Sequence, residues 1–230
     1  RPVSLEKEVT PPIQGKDIFV ALDISTSMEA LDFQPDNRLE TAKRVIDHFV
    51  ESRKTDRLGL VFFAGDSFLQ VPLTSDYAVF RRLLASLKTG VVEDGTAIGN
   101  GLGLALSRLE KSKSKSKVII LLSDGDDNSS NLEPLQAAEI AKKMGVKIYS
   151  ILIGKSGMVP YPTTNMFGMK SYTNVQVTAN PKLLKSVAET SGGRFYQSVT
   201  PEDLKKAFAD IDKLEKSPVP TNKIRFYKEY

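Results

Sequence analysis

The sequence has 230 residues, 40% apolar and 26% charged, with 32 basic against 28 acidic side chains for a formal charge of +4. That length suits one large α/β domain, the proportions exclude a disordered or fibrous chain, and the lack of cysteine excludes disulfides, thiolate metal sites and cysteine nucleophiles together. No apolar run of about eighteen residues occurs, and the charges interleave along the chain instead of clustering as on a nucleic-acid binder, so neither a membrane span within it nor a nucleic-acid partner is expected.

After a polar, proline-bearing arm over 1–16, "DIFVALDI" is continuously apolar and β-branched, as expected of a strand buried on both faces of a parallel sheet. Leu39, Ala42, Ile46, Phe49 and Val50 then fall on one side of a helix, while Glu40, Lys43, Arg44 and Asp47 take the other. "RLGLVFFAG" predicts a second buried strand. "SFLQVPLT" predicts its hairpin partner at the sheet edge, because Pro72 removes a ladder donor. A helix is expected from about Tyr77 to Leu87, and another through Ile98, Leu102, Ala105, Leu106 and Leu109. "KSKSKSK" ends that second helix, where cations suit the dipole, and reads as a solvated surface.

"VIILLSDG" predicts the third core strand, "LEPLQAAEIAKKMG" a helix with proline in its first turn and Gly145 as its cap, and "VKIYSILIG" a fourth strand. Residues 154 to 177, rich in Gly, Pro, Thr and Asn, read equally as a long loop or a hairpin. Asn180-Pro181 opens a further helix, "RFYQSV" makes the last strand, and "TPEDLKKAFADIDKLEK" is capped by Thr200 with Asp203 three residues on. This alternation predicts an α/β fold with a doubly wound, mostly parallel central sheet, one antiparallel edge strand and helices on both faces. The domain is expected over 17–216. The tail 217–230 ends basic and aromatic, "TNKIRFYKEY", a composition that borders membrane segments, so the chain reads as a soluble fragment.

In such a sheet, ligands bind beyond the carboxyl ends of the central strands. Asp23 ends the first strand and Asp124 the third, so adjacent placement of those strands would bring both acids to one rim. Ser25 and Ser27 follow Asp23, and Thr96 lies on a loop entering a helix. Two carboxylates and three hydroxyls form an all-oxygen set, which suits a hard divalent cation, Mg²⁺ first and Mn²⁺ or Ca²⁺ after it, and suits zinc or copper poorly. A magnesium shell keeps its waters and leaves a position that an incoming carboxylate can fill. Serine and aspartate also favour strand-end turns and helix N-caps, so D-x-S-x-S alone does not separate the two readings; Thr96 and Asp124 in their strand contexts favour the metal.

D-x-S-x-S, a loop threonine and an aspartate in "SDG" together resemble the metal-ion-dependent adhesion site of von Willebrand factor A domains, over nearly the whole chain. The resemblance implies that Ser25, Ser27 and Thr96 supply hydroxyl ligands, directly or through water, while Asp23 and Asp124 act largely through water and hydrogen bonds. "NRLETAKRVIDHFV", "DRLGLVFFAG", "VPLTSDY", "EDGTAIGNGLGLAL", "SKVIILLSDG" and "IDKLEKS" are similar to the bacterial Bat aerotolerance branch, closest to its BatA members. That branch implies flanking membrane segments outside this chain, an inner-membrane location with the domain facing the periplasm, and a role in envelope complex assembly or oxidative stress tolerance. It also implies other Bat proteins and a MoxR-type AAA+ ATPase as partners. Thr26 departs from the pattern, which has glycine between the two serines.

The expected function is a noncatalytic, metal-dependent binding module whose partner protein supplies an acidic residue to the metal, with Phe68, Asp94 and Asp126 framing the contact. Two alternatives stand beside it. A Mg²⁺-dependent hydrolase or phosphotransferase would use the two acids to activate water, but no second acid lies two residues from Asp23 and no convergent His, Lys and Arg set occurs. A metal-free scaffold would have Thr26 as its first symptom. "DGDDNSSNLEPL" is not a calcium loop, because Ser129 and Leu135 stand where glycine and a bidentate glutamate are needed, so Asp126, Asp127 and Asn128 read as loop residues. Gly99 to Gly103 lack the setting of a dinucleotide loop and are expected to let a helix pack closely on the sheet. His48 reads as a helix-surface residue, and Tyr161, Met166, Phe167 and Met169 as a contact surface or a cover for the sheet edge.

Overall fold

The computed structural model describes residues 15–164 and 169–215. In chain order these form β1 (Asp17–Asp23), α1 (Arg38–Glu51), β2 (Arg57–Phe63), β3 (Ser67–Thr74), α2 (Tyr77–Ala85), α3 (Ile98–Leu109), β4 (Lys117–Ser123), α4 (Pro134–Lys143) and β5 (Val146–Ile153), followed by β6 (Gly157–Thr164), β7 (Lys170–Val177), α5 (Pro181–Ser191), β8 (Phe195–Ser198) and α6 (Pro201–Glu215). The main sheet has the order β3-β2-β1-β4-β5-β8. All its neighbours run parallel except β3, which pairs antiparallel to β2 at the edge, where Pro72 is tolerated.

Strand alternation decides which helices cover which face. Ile18, Val20 and Leu22 of β1 point to the layer that holds Ile46 and Phe49 of α1, Phe80 of α2 and Phe208 of α6. Phe19 and Ala21 point to the layer that holds Leu102 of α3, Ala138 of α4 and Leu184 of α5. The central strands are apolar throughout because both faces are covered. Gly101 lets α3 approach the sheet: a Cβ there would stand 2.7 Å from the Phe63 ring. Thr200 and Asp203 cap α6 reciprocally, the Asp203 N–H donating to Thr200 Oγ1 at 3.1 Å and the Thr200 hydroxyl to Asp203 Oδ2 at 2.8 Å.

Winding proceeds from β1 through α1 to β2 on one side, then crosses to β4 on the other side of β1, with Leu22 beside Leu122 in the shared register. The direction reverses between β1 and β4, which opens a crevice at their carboxyl ends. In the stretch 154 to 177, open between loop and hairpin in the sequence, β6 and β7 pair antiparallel outside the main sheet. It is moored beside the crevice by a bond from Leu31 N–H to the Pro160 carbonyl (2.9 Å) and by burial of Val159 and Val177 with Ala30. Met166 and Phe167 lie outside the described residues, as do most of the expected arm and the tail from 216 on. No helix among the described residues is long and apolar enough to cross a membrane.

Candidate metal centre

Each of the two strands at the crevice delivers an acid. Asp23, at the end of β1, is fully buried: its Oδ1 accepts from the Ser25 N–H (2.9 Å) and the Ser25 hydroxyl (2.6 Å), and its Oδ2 from the Ser123 hydroxyl (2.7 Å). The chain then enters a 3-10 turn over Thr26–Glu29, which sets the Ser27 hydroxyl 3.0 Å from that of Ser25. Ser25, Ser27, Thr96, Asp94, Asp124 and Asp126 line a single cavity of about 450 Å³. Asp23 lies beneath it and orients Ser25.

The acidic stretch after Asp124 holds the Thr96 loop in place. Thr96 N–H donates to Asn128 Oδ1 (2.9 Å), and its carbonyl accepts from the N–H groups of Asn128 (3.0 Å) and Ser129 (3.2 Å). Asp127 Oδ1 accepts the first α3 amide, Ile98 N–H, at 2.8 Å, as an anion should at a helix N-terminus. Asp126 takes the Thr178 hydroxyl at 2.9 Å and remains on the cavity wall, with Asp94 opposite. Phe68 is not on that wall; it stacks on Phe62 with ring centroids 5.4 Å apart and is 40% exposed. His48 is at the surface of α1, its side chain 83% exposed.

Beside Asp124 stands a residue that the sequence reading passed over. Arg38, wholly buried, forks its Nε and Nη2 onto Asp32 (2.8 and 2.7 Å) and sends Nη1 to Asp124 Oδ2 at 3.4 Å. Gly154, with φ +94°, passes so close that a Cβ would lie 2.4 Å from the guanidinium carbon. A cation in the first turn of α1 opposes the helix dipole, and that mismatch was the available signal that Arg38 serves a contact elsewhere. Ser123 was also missed as part of the site's support, since a serine ending a strand carries no such signal, whereas Tyr161, read as a contact or cover residue, lines the cavity.

Burial first, and the Asp124 charge second, push Asp23 up to about 7, against the pull of the Ser25 and Ser123 hydrogen bonds. Asp124 is likewise raised by burial, opposed by Ser27 and Arg38. Asp124 Oδ1 is buried and accepts no well-formed hydrogen bond among the described residues. A cation, a water or a proton would satisfy a buried carboxyl oxygen in that state. No three His, Cys, Asp or Glu side chains converge among the described residues. The donors are therefore two acids, one already facing Arg38, and three hydroxyls: an oxygen set of low charge that fits a weakly held hard cation.

Thr26 turns its hydroxyl away from this set. Its Oγ1 donates to Asp94 Oδ2 (2.8 Å), its N–H to Asp94 Oδ1 (3.2 Å), and its carbonyl accepts the Tyr161 hydroxyl (2.8 Å). Burial raises Asp94, but the Thr26 bonds outweigh it and hold the carboxyl below its ordinary range. Thr26 thus ties Asp94 and Tyr161 together across the cavity, and glycine would lose the one side-chain bond of the three. Thr26→Gly is expected to lower stability by about 1 kcal/mol, read in urea unfolding, with a smaller effect on metal affinity than Thr96→Ala. A larger loss of affinity from Thr26→Gly than from Thr96→Ala would place Thr26 among the ligands instead.

The family model of the von Willebrand factor type A domain matches residues 17–210. An uncharacterized protein of Borreliella burgdorferi is 33% identical over 94% of this chain, which spans 64% of that relative's length. The crystal structure of the conserved hypothetical protein BatB from Bacteroides thetaiotaomicron superposes with a TM-score of 0.77 at 30% identity, covering 88% of this chain and 100% of that one. An aerotolerance-related membrane protein from Bacteroides fragilis gives a TM-score of 0.73 at 28% identity, over 86% of this chain and 98% of the other.

Proposed function

Since the chain belongs to the von Willebrand factor type A domain family and is related to the Bat aerotolerance proteins, we propose that it is a noncatalytic, divalent-metal-dependent protein-binding module. Ser25, Ser27, Thr96 and Asp124 would hold the metal, Mg²⁺ in the first instance, with Asp23 fixing Ser25 from below. Bound there, the cation supplies an electrophilic centre that a partner's carboxylate completes. The observation that carries this reading is Asp124 Oδ1, buried and without a well-formed hydrogen bond among the described residues, at a cavity that Ser25, Ser27 and Thr96 line beside it. Asp94, Asp126, Tyr161 and the β7 residues Val175 to Val177 would meet the partner around that carboxylate.

The domain is proposed to belong to a membrane-anchored Bat-type protein of the bacterial inner membrane, facing the periplasm and acting in complex assembly or oxidative stress tolerance, a reading supported by its likeness to a solved aerotolerance-related membrane protein. Other Bat proteins, and a MoxR-type AAA+ ATPase, are its proposed partners. Hydrolysis would require a free base beside the metal, and the two further acids on the cavity wall are engaged, Asp94 by Thr26 and Asp126 by the Thr178 hydroxyl.

Calorimetric titration of Mg²⁺ and Mn²⁺ into the metal-stripped chain tests the reading. One saturable site is expected, weakened at least about tenfold by Asp23→Ala, which acts through Ser25, and lost in Thr96→Ala. No binding at millimolar metal would leave a metal-free scaffold.

A further inference from the structure

Charges that alternate along the sequence are sorted by the fold. The amino ends of β1, β2, β4 and β5 lie side by side, as the pairings Asp17 with Arg57, Asp17 with Lys117 and Lys117 with Val146 show. They form a floor at the end of the sheet opposite the metal cavity, roughly 20 Å away along the seven residues of β1. The described chain enters the domain at this floor, at Gly15, and leaves α6 there, at Glu215, whose carboxylate bonds Lys147 Nζ at 3.0 Å and Ser116 Oγ at 3.2 Å.

The "KSKSKSK" run lies across this floor, in the loop after α3, and its period of two has a structural reason. Its serines face the domain: Ser112 Oγ donates to Asp17, Ser114 Oγ to the Gly15 carbonyl (3.2 Å), and Ser116 Oγ to Glu215. Lys111, Lys113 and Lys115 therefore project outward, all exposed. Lys54, Lys142 and Lys143 are exposed at the same end, and none of these six has an ion-pair partner among the described residues. The floor's acids are engaged: Asp17 with Arg57 (2.5 Å), Asp56 with Arg53 (3.2 Å), Asp212 with Arg53, and Glu215 with Lys147. Glu110 is the exposed acid beside the run without such a partner. A cavity of about 280 Å³, lined by Gly15, Asp17, Thr55, Arg57, Lys113 and Ser114, opens on this surface.

We propose that this lysine floor is a docking surface for an anionic lipid bilayer. Serines pinned to the body keep the three lysines that alternate with them on the solvent side of the floor. An array of unpaired cations without interleaved aromatics matches a field of headgroup phosphates better than the stacked bases of a nucleic acid. Both ends of the described domain meet the same plane, so a membrane-anchored chain would bring the floor to the bilayer and turn the metal cavity outward, toward partners. The inference rests on the membrane-anchored reading above, but not on metal binding.

Sedimentation of the chain with vesicles of phosphatidylcholine, alone or mixed with phosphatidylglycerol, tests it. Binding is expected on the mixed vesicles only, and is expected to weaken as salt rises. A triple Lys111→Gln, Lys113→Gln, Lys115→Gln variant should lose on the order of a hundredfold in affinity, from about 1 kcal/mol, or roughly fivefold, per lysine. A triple Lys182→Gln, Lys205→Gln, Lys206→Gln variant carries the same charge loss at the opposite end and should bind as the parent does. Equal losses in both variants, or no binding to mixed vesicles at low salt, would overturn the proposal. Tighter binding to polyglutamate than to the vesicles would replace the bilayer with an acidic protein. Since the calorimetric titration is independent of the vesicles, failure of one leaves the other to be judged separately.

Discussion

Arg38→Met is expected to lower the stability of the metal-free domain by about 3–5 kcal/mol, a large share of the roughly 5–15 kcal/mol that holds a domain together. Methionine keeps much of the arginine stem's volume, so the loss is electrostatic rather than a cavity. The Asp32 and Asp124 side chains are 6% and 4% exposed, and the buried guanidinium is the cation that both of them face. Without it, two carboxylates would stand in a poorly solvated pocket with Asp23 close by. The urea midpoint should fall while its slope stays constant, because the same surface is exposed on unfolding. Metal binding should move the other way: Asp124 Oδ2 is released and a repelling cation is gone, so Mg²⁺ should stabilise the variant more than the parent. A stability change below about 1 kcal/mol would show that the carboxylates shed their charge by protonation and that Arg38 is dispensable.

This internal cation compensates the buried Asp32 and Asp124 from within the chain, and it marks the limit of what the sequence disclosed. The sheet was legible because "DIFVALDI", "RLGLVFFAG" and "VIILLSDG" are continuous apolar runs, a pattern that admits few settings other than strands covered on both faces. That Asp23, Ser25, Ser27, Thr96 and Asp124 would meet was legible because a doubly wound sheet sends its strand ends to one crevice, and β1 and β4 are neighbours there. Arg38 was not, since its three contacts lie 6, 86 and 116 residues away, at Asp32, Asp124 and Gly154, and no local pattern encodes them. The fate of 154–177 was hidden for a similar reason: Pro160 and Pro162 weaken the strand signal, and the hairpin holds through tertiary ties at Leu31, Ala30 and Thr26. Phe68 was expected to frame the contact, but it lies in β3 and its ring stacks on Phe62.

Metal-free protein should become less stable, not more, as pH rises from about 5 to about 8. The sign follows from Asp23, whose folded-state pKa of about 7 lies above its ordinary 3.8 because burial and the neighbouring Asp124 disfavour the charge. Between those two values the folded chain keeps a proton that the unfolded chain has released, and stability falls with pH wherever the folded state binds more protons. Asp94 and Glu215, whose pKa values are lowered, work in the opposite direction, but only as pH drops into the ordinary carboxylate range, so the window from about 5 to 8 isolates the raised pair. Asp23→Asn should flatten the slope, since it removes the titrating group while keeping a side-chain oxygen for Ser25. Saturating Mg²⁺ should also flatten it, because a cation in the crevice compensates the same charge that protonation removes, and its own binding should strengthen as the site deprotonates. Urea midpoints at pH 5 to 8, with chelator or with Mg²⁺, would read both effects. A metal-free domain whose stability is flat across that window would mean that Asp23 and Asp124 lose their protons as readily in the folded chain as in the unfolded one, so that burial does not hold a proton in the crevice.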